Sequence, residues 1–151
     1  MRHFSKWVNR AIVYSENGDP SKVLTSLRYP PLPVPASDTI NIQFILTPIN
    51  PADLNVIEGV YPSQPSANTS LTPSGKGSKD HAVFVAGNEG LARVTAVGNG
   101  VKSLKEQDWV VMTRPQVGTW CTMKNVGVGD VIKIPRVHGL SEVHGAMMTV
   151  S

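Results

Sequence analysis

The sequence predicts a mostly β domain, a small antiparallel barrel or sandwich with one or two short helices. The chain has 151 residues, 40% of them hydrophobic and 17% charged, which suffices for one domain with its own core. Its 13 glycines and 12 prolines separate short apolar runs, a pattern that favours strands and turns over long helices. One of these runs, residues 39–46, alternates apolar and polar side chains as a half-buried strand does.

Two extended segments precede that strand. RAIVY (10–14) predicts the first strand, NGDPSK (17–22) the turn after it, and KVLTSLRY (22–29) a second extended segment. PPLPVP (30–35) cannot form a helix or a central strand, so it predicts a stiff surface connection. In the alternating strand, four apolar residues share one face and two amides the other: Ile40, Ile42, Phe44 and Leu46, against Asn41 and Gln43.

A short helix is predicted in the segment NPADLNVIEG. Asn50 is a favourable N-cap, a proline fits the first helical position, and Asp53 places an acid where it complements the helix dipole. Leu54 and Ile57 share one face, and Gly59 can end the helix in a left-handed conformation. The helix therefore delivers the tyrosine that follows it to a turn.

The second half of the chain predicts further strands and a long loop. Residues 63–81 are rich in Ser, Thr, Pro and Gly and predict a mobile loop, either a functional lid or an insertion. GNEG then forms a glycine-bracketed turn that opens a strand. The predicted strands are LARVTAV (91–97), DWVVMT (108–113), GTWCTMKN (118–125) and VIKIP (131–135).

Charge and composition argue against two classes of partner. The net charge of +3 is mild and the basic residues are scattered, so we expect no nucleic-acid partner. No apolar run approaches the length of a membrane span, so we expect no membrane partner. The single cysteine, Cys121, excludes an internal disulfide, and its strand-like surroundings favour a buried structural thiol over a nucleophile.

Four strings carry a resemblance to a known family: AIVYSENGDPSKVL, NPADLNVIEGVYPS, GNEGLARVTAVGNGVKSLKEQDWV and GTWCT. Together they resemble the N-terminal, GroES-like domain of the medium-chain dehydrogenase/reductase superfamily, and within it the mitochondrial trans-2-enoyl-thioester reductases. The G-x-E-G motif is shared across the superfamily, whereas the NPxDxNxIxGxYP string is much more specific. The resemblance covers about residues 10–149.

The resemblance implies a domain layout. Members of this family are two-domain enzymes, in which the barrel supplies the acid side of the site and a Rossmann domain binds NADPH. On this pattern residues 1–9 form a leader, 10–136 the GroES-like catalytic domain, and 137–151 a truncated linker to a Rossmann domain. The leader is basic and free of acids, which is typical of a mitochondrial presequence. No G-x-G-x-x-G string occurs, so we expect the isolated chain to be inactive and, with an apolar face exposed, to self-associate.

The resemblance also implies residue roles. In the resembling reductases the tyrosine of the GxY string is the catalytic acid or electrophile, and this role falls on Tyr61; by its position alone, Tyr61 is a turn residue. Asn50 and Asn55 are candidates for cofactor or substrate contact, although helix capping also accounts for Asn50. Trp120 is either a wall of the substrate pocket or a core aromatic. A structural role in the turn, with backbone conformations closed to other residues at the two glycines, is expected for Gly87, Glu89 and Gly90.

The metal ligands of zinc-dependent relatives are replaced here by amides. Those relatives place a cysteine near the position of Asn50 and a histidine at that of Asn88, and an amide is a poor zinc ligand. The four histidines show no ligand spacing with Cys121. The resemblance therefore implies a zinc-free protein.

The expected function is that of the N-terminal half of an NADPH-dependent trans-2-enoyl-thioester reductase of mitochondrial fatty-acid synthesis, acting on 2-enoyl-CoA or enoyl-ACP. Two alternatives remain open. One is a zinc-free, quinone-reductase-like oxidoreductase fragment. The other is a non-catalytic GroES-like module that pairs with other chains.

Overall fold

The computed structural model describes residues 8–68 and 82–147. These residues form short strands and helices joined by turns and loops. The strands are β1 (Asn9–Tyr14), β2 (Thr25–Tyr29), β3 (Thr39–Leu46), β4 (Phe84–Val85), β5 (Leu91–Val97), β6 (Trp109–Met112), β7 (Met123–Gly127) and β8 (Val131–Ile134). The helices are α1 (Pro20–Val23), α2 (Pro51–Glu58) and α3 (Glu142–Ala146), and a 3-10 turn, Val128–Asp130, precedes β8. No helix within these ranges is long and apolar enough to cross a membrane.

The strands form two antiparallel sheets. One has the order β2–β1–β4, and the other has the order β7–β3–β5–β6–β8. All of the strand pairs in these ranges are antiparallel, so no parallel crossover is present among the described residues. This mostly β architecture confirms the predicted fold class.

A short backbone segment before β7 is bonded to both sheets. The carbonyl of Trp120 accepts a hydrogen bond from the N–H of Ile12 at 2.9 Å, and the N–H of Thr122 donates to the carbonyl of Arg10 at 2.8 Å. The carbonyl of Thr122 in turn accepts from the N–H of Phe44 at 3.1 Å. This segment therefore lies between β1 and β3 and closes part of the gap between the sheets, as in a barrel.

Both faces of the five-stranded sheet are covered by apolar side chains. On one face a buried cluster contains Ile40, Ile42, Ala92, Val94, Val101, Leu104, Val110, Met112 and Val126. Because side chains alternate along a strand, Leu91 lies on the opposite face. There it packs with Trp109 and with Ala146 of α3.

The strands β3 and β5 and the helix α2 have the predicted bounds, whereas two extended predictions are wrong in part. Residues 20–23 form α1, because Pro20 fits the first helical position and the Asp19 carboxylate accepts from the Ser21 N–H at 2.9 Å. The strand predicted over 118–125 begins only at Met123, since the chain turns at Gly118, where φ is 75°.

The alternation in β3 predicts its burial incorrectly at two positions. Asn41 is only 5% exposed, because its amide N–H donates to the Pro33 carbonyl and its side-chain oxygen accepts from Asn125, both at 2.8 Å. Leu46 is 38% exposed, since a register shift between Phe44 and Leu46 interrupts the alternation. The bond between Asn41 and Pro33 shows that the proline-rich connection covers the face of β3 that the alternation predicts to be exposed.

The predicted mobile loop 63–81 falls mostly outside the described residues. Its first six residues are described, and Asn68 forms an isolated antiparallel bridge with Val83. Residues 69–81 lie outside the described ranges, as do residues 1–7 and 148–151. The mobility of the loop stays a prediction.

We expect Asp108→Asn to change how stability depends on pH. Asp108 is 7% exposed, and its carboxylate accepts from the Lys105 N–H at 3.0 Å and pairs with Lys133 at 2.9 Å. Burial alone raises the pKa of Asp108, but these partners outweigh it and hold the pKa below its usual range. The folded state therefore gains stability above about pH 4 that is lost as the pH falls through the lowered pKa.

Chemical denaturation between pH 2 and pH 7 measures this dependence. The Asp108→Asn variant should lose about 1–2 kcal/mol at pH 7, and the deficit should shrink as the pH falls below about 4. The exposed Asp38 provides the matched control, Asp38→Asn, with a change within about 0.5 kcal/mol. A deficit that stays constant over the whole pH range would contradict the ion-pair explanation.

Candidate functional site

Helix α2 places the predicted catalytic tyrosine just beyond its C-terminal end. Gly59 adopts the predicted left-handed conformation with φ 77°, and the N–H groups of Gly59 and Val60 donate to carbonyls of the last helical turn at 3.1 and 2.9 Å. Of the two residues predicted to share one face of the helix, Ile57 is buried and Leu54 is 39% exposed. Val56 is buried beside Ile57.

Asp53 is the buried acid at the start of this helix. It is 2% exposed, and its two carboxylate oxygens accept from the backbone N–H of Asn50 at 2.7 Å and from that of Asn88 at 2.8 Å. Burial raises the pKa of Asp53, although both N–H donors act in the opposite direction. One side chain thus joins the first turn of α2 to the turn between β4 and β5.

Asn50 occupies the N-cap position, but its side chain does not cap the helix. Its amide N–H instead donates to the Glu89 carboxylate at 3.1 Å. Capping therefore does not explain the Asn50 side chain, which points to the GNEG turn. Its side-chain oxygen accepts no hydrogen bond from the described residues.

The GNEG turn is held by the segment that follows β6. The Thr119 hydroxyl donates to the Glu89 carbonyl at 2.8 Å. Gly87 has φ 98°, and a Cβ there would lie 2.4 Å from both Thr119 and Trp120 side-chain atoms. Gly90 does not have a positive φ, so the conformational reason predicted for it is wrong; close packing against Thr47 and Phe44 excludes a side chain instead.

Tyr61 is 38% exposed, and its side chain has one polar contact among the described residues, made by the hydroxyl. The Asn55 amide donates to the Tyr61 hydroxyl oxygen over 3.5 Å, at the outer limit of a hydrogen bond. Because the phenol oxygen accepts this bond, its own proton stays available for another acceptor. The structure brings together Tyr61 and Asn55, two of the predicted site residues, whereas Asn50 belongs to the neighbouring Glu89 contact.

Two amide side chains, those of Gln116 and Asn17, contact the segment that follows Tyr61 and carry no signal of this role in the sequence. The Gln116 amide donates to the Ser63 hydroxyl at 3.2 Å, and the Gln116 N–H donates to the side chain of the buried Asn88 at 3.0 Å. Gln116 has φ 58°, a strained conformation for a residue other than glycine. Asn17 donates to the Gln64 side chain at 3.2 Å. These contacts join distant parts of the chain, so no local pattern of side chains indicates them.

Trp120 is both a core aromatic and the wall of a groove. Its half-buried ring packs against a cluster that includes Tyr14 and Ile57, and its indole N–H donates to the Pro48 carbonyl at 3.2 Å. The same ring lines an open groove of about 520 Å³ together with apolar residues of β3 and the exposed Ile49. The two readings of Trp120 from sequence are therefore compatible.

Cys121 is a free, half-buried thiol, not the buried one that the sequence predicts. Burial raises its pKa to about 11, although the nearby Lys124 lowers it. A thiol with this pKa remains protonated near neutral pH and is a poor nucleophile.

The described residues offer no set of metal ligands. No group of three His, Cys, Asp or Glu side chains lies close enough to hold an ion in residues 8–68 and 82–147. The side chain of Asn50 donates to Glu89, and that of Asn88 accepts from the Gln116 N–H.

Comparisons with known proteins agree with this geometry. No family model matches the chain. The chain is 37% identical to the mitochondrial enoyl-(acyl-carrier-protein) reductase 2 of Debaryomyces hansenii, over 94% of this chain and 38% of that protein. It superposes on the Etr1p/NADP/crotonyl-CoA complex with a TM-score of 0.82 and 32% identity, over 92% of this chain and 39% of that one. It superposes on Escherichia coli quinone oxidoreductase complexed with NADPH with a TM-score of 0.65 and 25% identity, over 91% and 36%.

The antiparallel barrel-like fold and the turn carrying Gly87 and Glu89 define the class as the N-terminal, GroES-like domain of the medium-chain dehydrogenase/reductase superfamily. Within this superfamily the chain is similar to the N-terminal part of the mitochondrial 2-enoyl-thioester reductases. It spans less than two-fifths of the length of the curated reductase.

We expect Asp53→Ala to destabilise the fold by about 2–5 kcal/mol, because it leaves two buried N–H groups without an acceptor. The matched control is Glu58→Ala at the exposed end of the same helix, with an expected change within about 0.5 kcal/mol. Urea unfolding of both variants measures the difference. Equal stabilities would show that the Asp53 contacts contribute nothing to the fold.

Proposed function

We propose that this chain forms the acid side of an NADPH-dependent 2-enoyl-thioester reductase in mitochondria, with Tyr61 as the catalytic acid or electrophile. The observation that carries the proposal is the position of Tyr61, half-exposed directly after a capped helix, with its hydroxyl oxygen accepting from Asn55. The names of the relatives, which include "mitochondrial" and the ligand crotonyl-CoA, support the location and the substrate class.

Reduction of a 2-enoyl thioester adds a hydride at the β-carbon and a proton at the α-carbon. NADPH, when bound, supplies the hydride. Negative charge develops on the thioester oxygen between the two additions, and the Tyr61 hydroxyl donates a hydrogen bond to that oxygen or passes on its proton. The Asn55 amide lies where it stabilises negative charge left on the phenol oxygen.

The amides of Asn50 and Asn55 are the groups we assign to contact with the reactive end of a nicotinamide cofactor. The Asn50 side-chain oxygen, which accepts nothing from the described residues, is free to accept from the N–H of a carboxamide. Asn55 offers an amide beside the Tyr61 hydroxyl. The 151 residues contain no G-x-G-x-x-G string, so a dinucleotide phosphate would be held by other parts of an enzyme.

The proposal is zinc-free, since an amide oxygen is a poor zinc ligand compared with a thiolate or an imidazole. The groove beside Trp120 offers an apolar surface for an acyl chain. Exposed apolar residues such as Ile49 and Met147 support the expected self-association of the isolated chain. The lower similarity to the quinone oxidoreductase makes a quinone substrate the weaker alternative.

Residues 1–151 alone should show no reductase activity. No side chain here replaces a nicotinamide, and the sequence contains no dinucleotide fingerprint. A purified chain mixed with NADPH and crotonyl-CoA should oxidise NADPH only at the background rate. NADPH oxidation that depends on crotonyl-CoA would sink this expectation.

The role of Tyr61 is tested in an enzyme that joins residues 1–151 to the remaining C-terminal part of the Debaryomyces hansenii relative, here called the joined enzyme. Tyr61→Phe keeps the ring and removes the hydroxyl, so kcat for crotonyl-CoA should fall by about 10²-fold or more. KM should change much less, because the hydrogen bond strengthens in the transition state.

Tyr29→Phe would disturb the core, so the control is the exposed Asn99→Ala, which should keep the parental kcat. A Tyr61→Phe variant with parental kcat would show that the acid lies elsewhere. A joined enzyme that reduces quinones in preference to crotonyl-CoA would favour the alternative function.

A further inference from the structure

The turn after β1 caps the C-terminal end of α2. The Asn17 amide donates to the carbonyls of Val56 and Ile57 at 3.2 and 3.1 Å, and the Gly18 N–H donates to the Ile57 carbonyl at 3.1 Å. The last carbonyls of a helix have no partner within the helix, and α2 has no basic residue in its last turn. A residue far away in sequence therefore satisfies this helix end.

The same amide reaches the chain on the other side of Tyr61. Asn17 also donates to the Gln64 side-chain oxygen at 3.2 Å, and the Gln64 amide donates to the Tyr61 carbonyl at 3.4 Å. The connection that carries Tyr61 is thus held at its start, through the helix carbonyls, and at its end, through Gln64. Asn17 is common to both contacts.

Asn17 also packs against the residue that redirects the chain towards Tyr61. A Cβ on Gly59 would lie 3.0 Å from both Cβ and Cγ of Asn17. With φ at 77°, Gly59 is where the backbone leaves the helix. The Asn17 side chain therefore restricts the turn by packing as well as by hydrogen bonds.

We propose that Asn17 is a positioning residue for Tyr61. Its amide fixes the end of α2 and the Gln64 side chain, and so keeps the Tyr61 hydroxyl beside Asn55. The consequence for catalysis rests on the proposed function, whereas the placement of Tyr61 does not. A displacement of about 1 Å at a reacting group can lower a rate by up to about 10²-fold.

The placement is tested on the 151-residue chain labelled with 3-fluorotyrosine. The chain has three tyrosines; Tyr14 and Tyr29 are buried, and Tyr61 is the exposed one. In ¹⁹F NMR spectra, Asn17→Ala should shift and sharpen the Tyr61 resonance, because the ring samples more positions. The Tyr29 resonance, from a separate core cluster, should stay in place and report that the fold is intact.

Two further variants keep this test decisive. Gln64→Ala removes only the outer, exposed contact and should also move the Tyr61 resonance, even where Asn17→Ala fails to fold. Asn99→Ala, in the exposed turn after β5, is the matched control and should move neither resonance. An unchanged Tyr61 resonance in folded Asn17→Ala, or in Gln64→Ala if the first variant does not fold, overturns the proposal.

Kinetics of the joined enzyme separate this inference from the proposed function. Asn17→Ala should lower kcat about 10-fold and change KM less than about 3-fold, because binding groups elsewhere are untouched. A parental kcat in Asn17→Ala beside a slow Tyr61→Phe overturns the positioning role. If Tyr61→Phe itself is parental, the proposed function of Tyr61 fails, and the NMR result alone decides whether Asn17 places the ring.

Discussion

The Asp53 carboxylate, buried at the start of α2, is the interaction on which the site depends. The backbone N–H groups of Asn50 and Asn88 have no other acceptor among the described residues, so removing the carboxylate would leave both buried and unpaired. Its own burial opposes ionisation, as the raised pKa indicates. The two N–H bonds offset part of that cost, and they fix the helix to the turn between β4 and β5.

Because Asp53 serves the helix start, the neighbouring amides are free for other contacts. Asn50 donates to Glu89, and Asn88 accepts from the backbone of Gln116. An amide can donate and accept at once, which suits it to joining loops and makes it a poor metal ligand. In this chain the two amides join the start of α2, the turn between β4 and β5, and the backbone of Gln116.

A helix of two turns has little stability of its own, so both of its ends must be held by the rest of the fold. Asp53 holds the start through the turn between β4 and β5, and Asn17, in the turn after β1, holds the end. Tyr61 lies on the short connection that follows the helix. An exposed functional group is therefore carried on a rigid support. The segment that contains Trp120 and Thr122 is hydrogen-bonded to β1 and to β3, and it therefore links the two sheets.

The sequence by itself determined the elements whose signals are local. The β3 and β5 strands, α2 with its N-cap position at Asn50, and the left-handed Gly59 follow from alternation, capping chemistry and glycine geometry within a few residues. The resemblance named Tyr61 and Asn55, which the fold brings into contact. Only the tertiary structure decided the burial of Asn41, the true partner of the Asn50 side chain, and the contacts of Asn17 and Gln116. Each of these joins residues far apart in the chain, and such pairings are set by the packing of the two sheets, which no local pattern of side chains encodes.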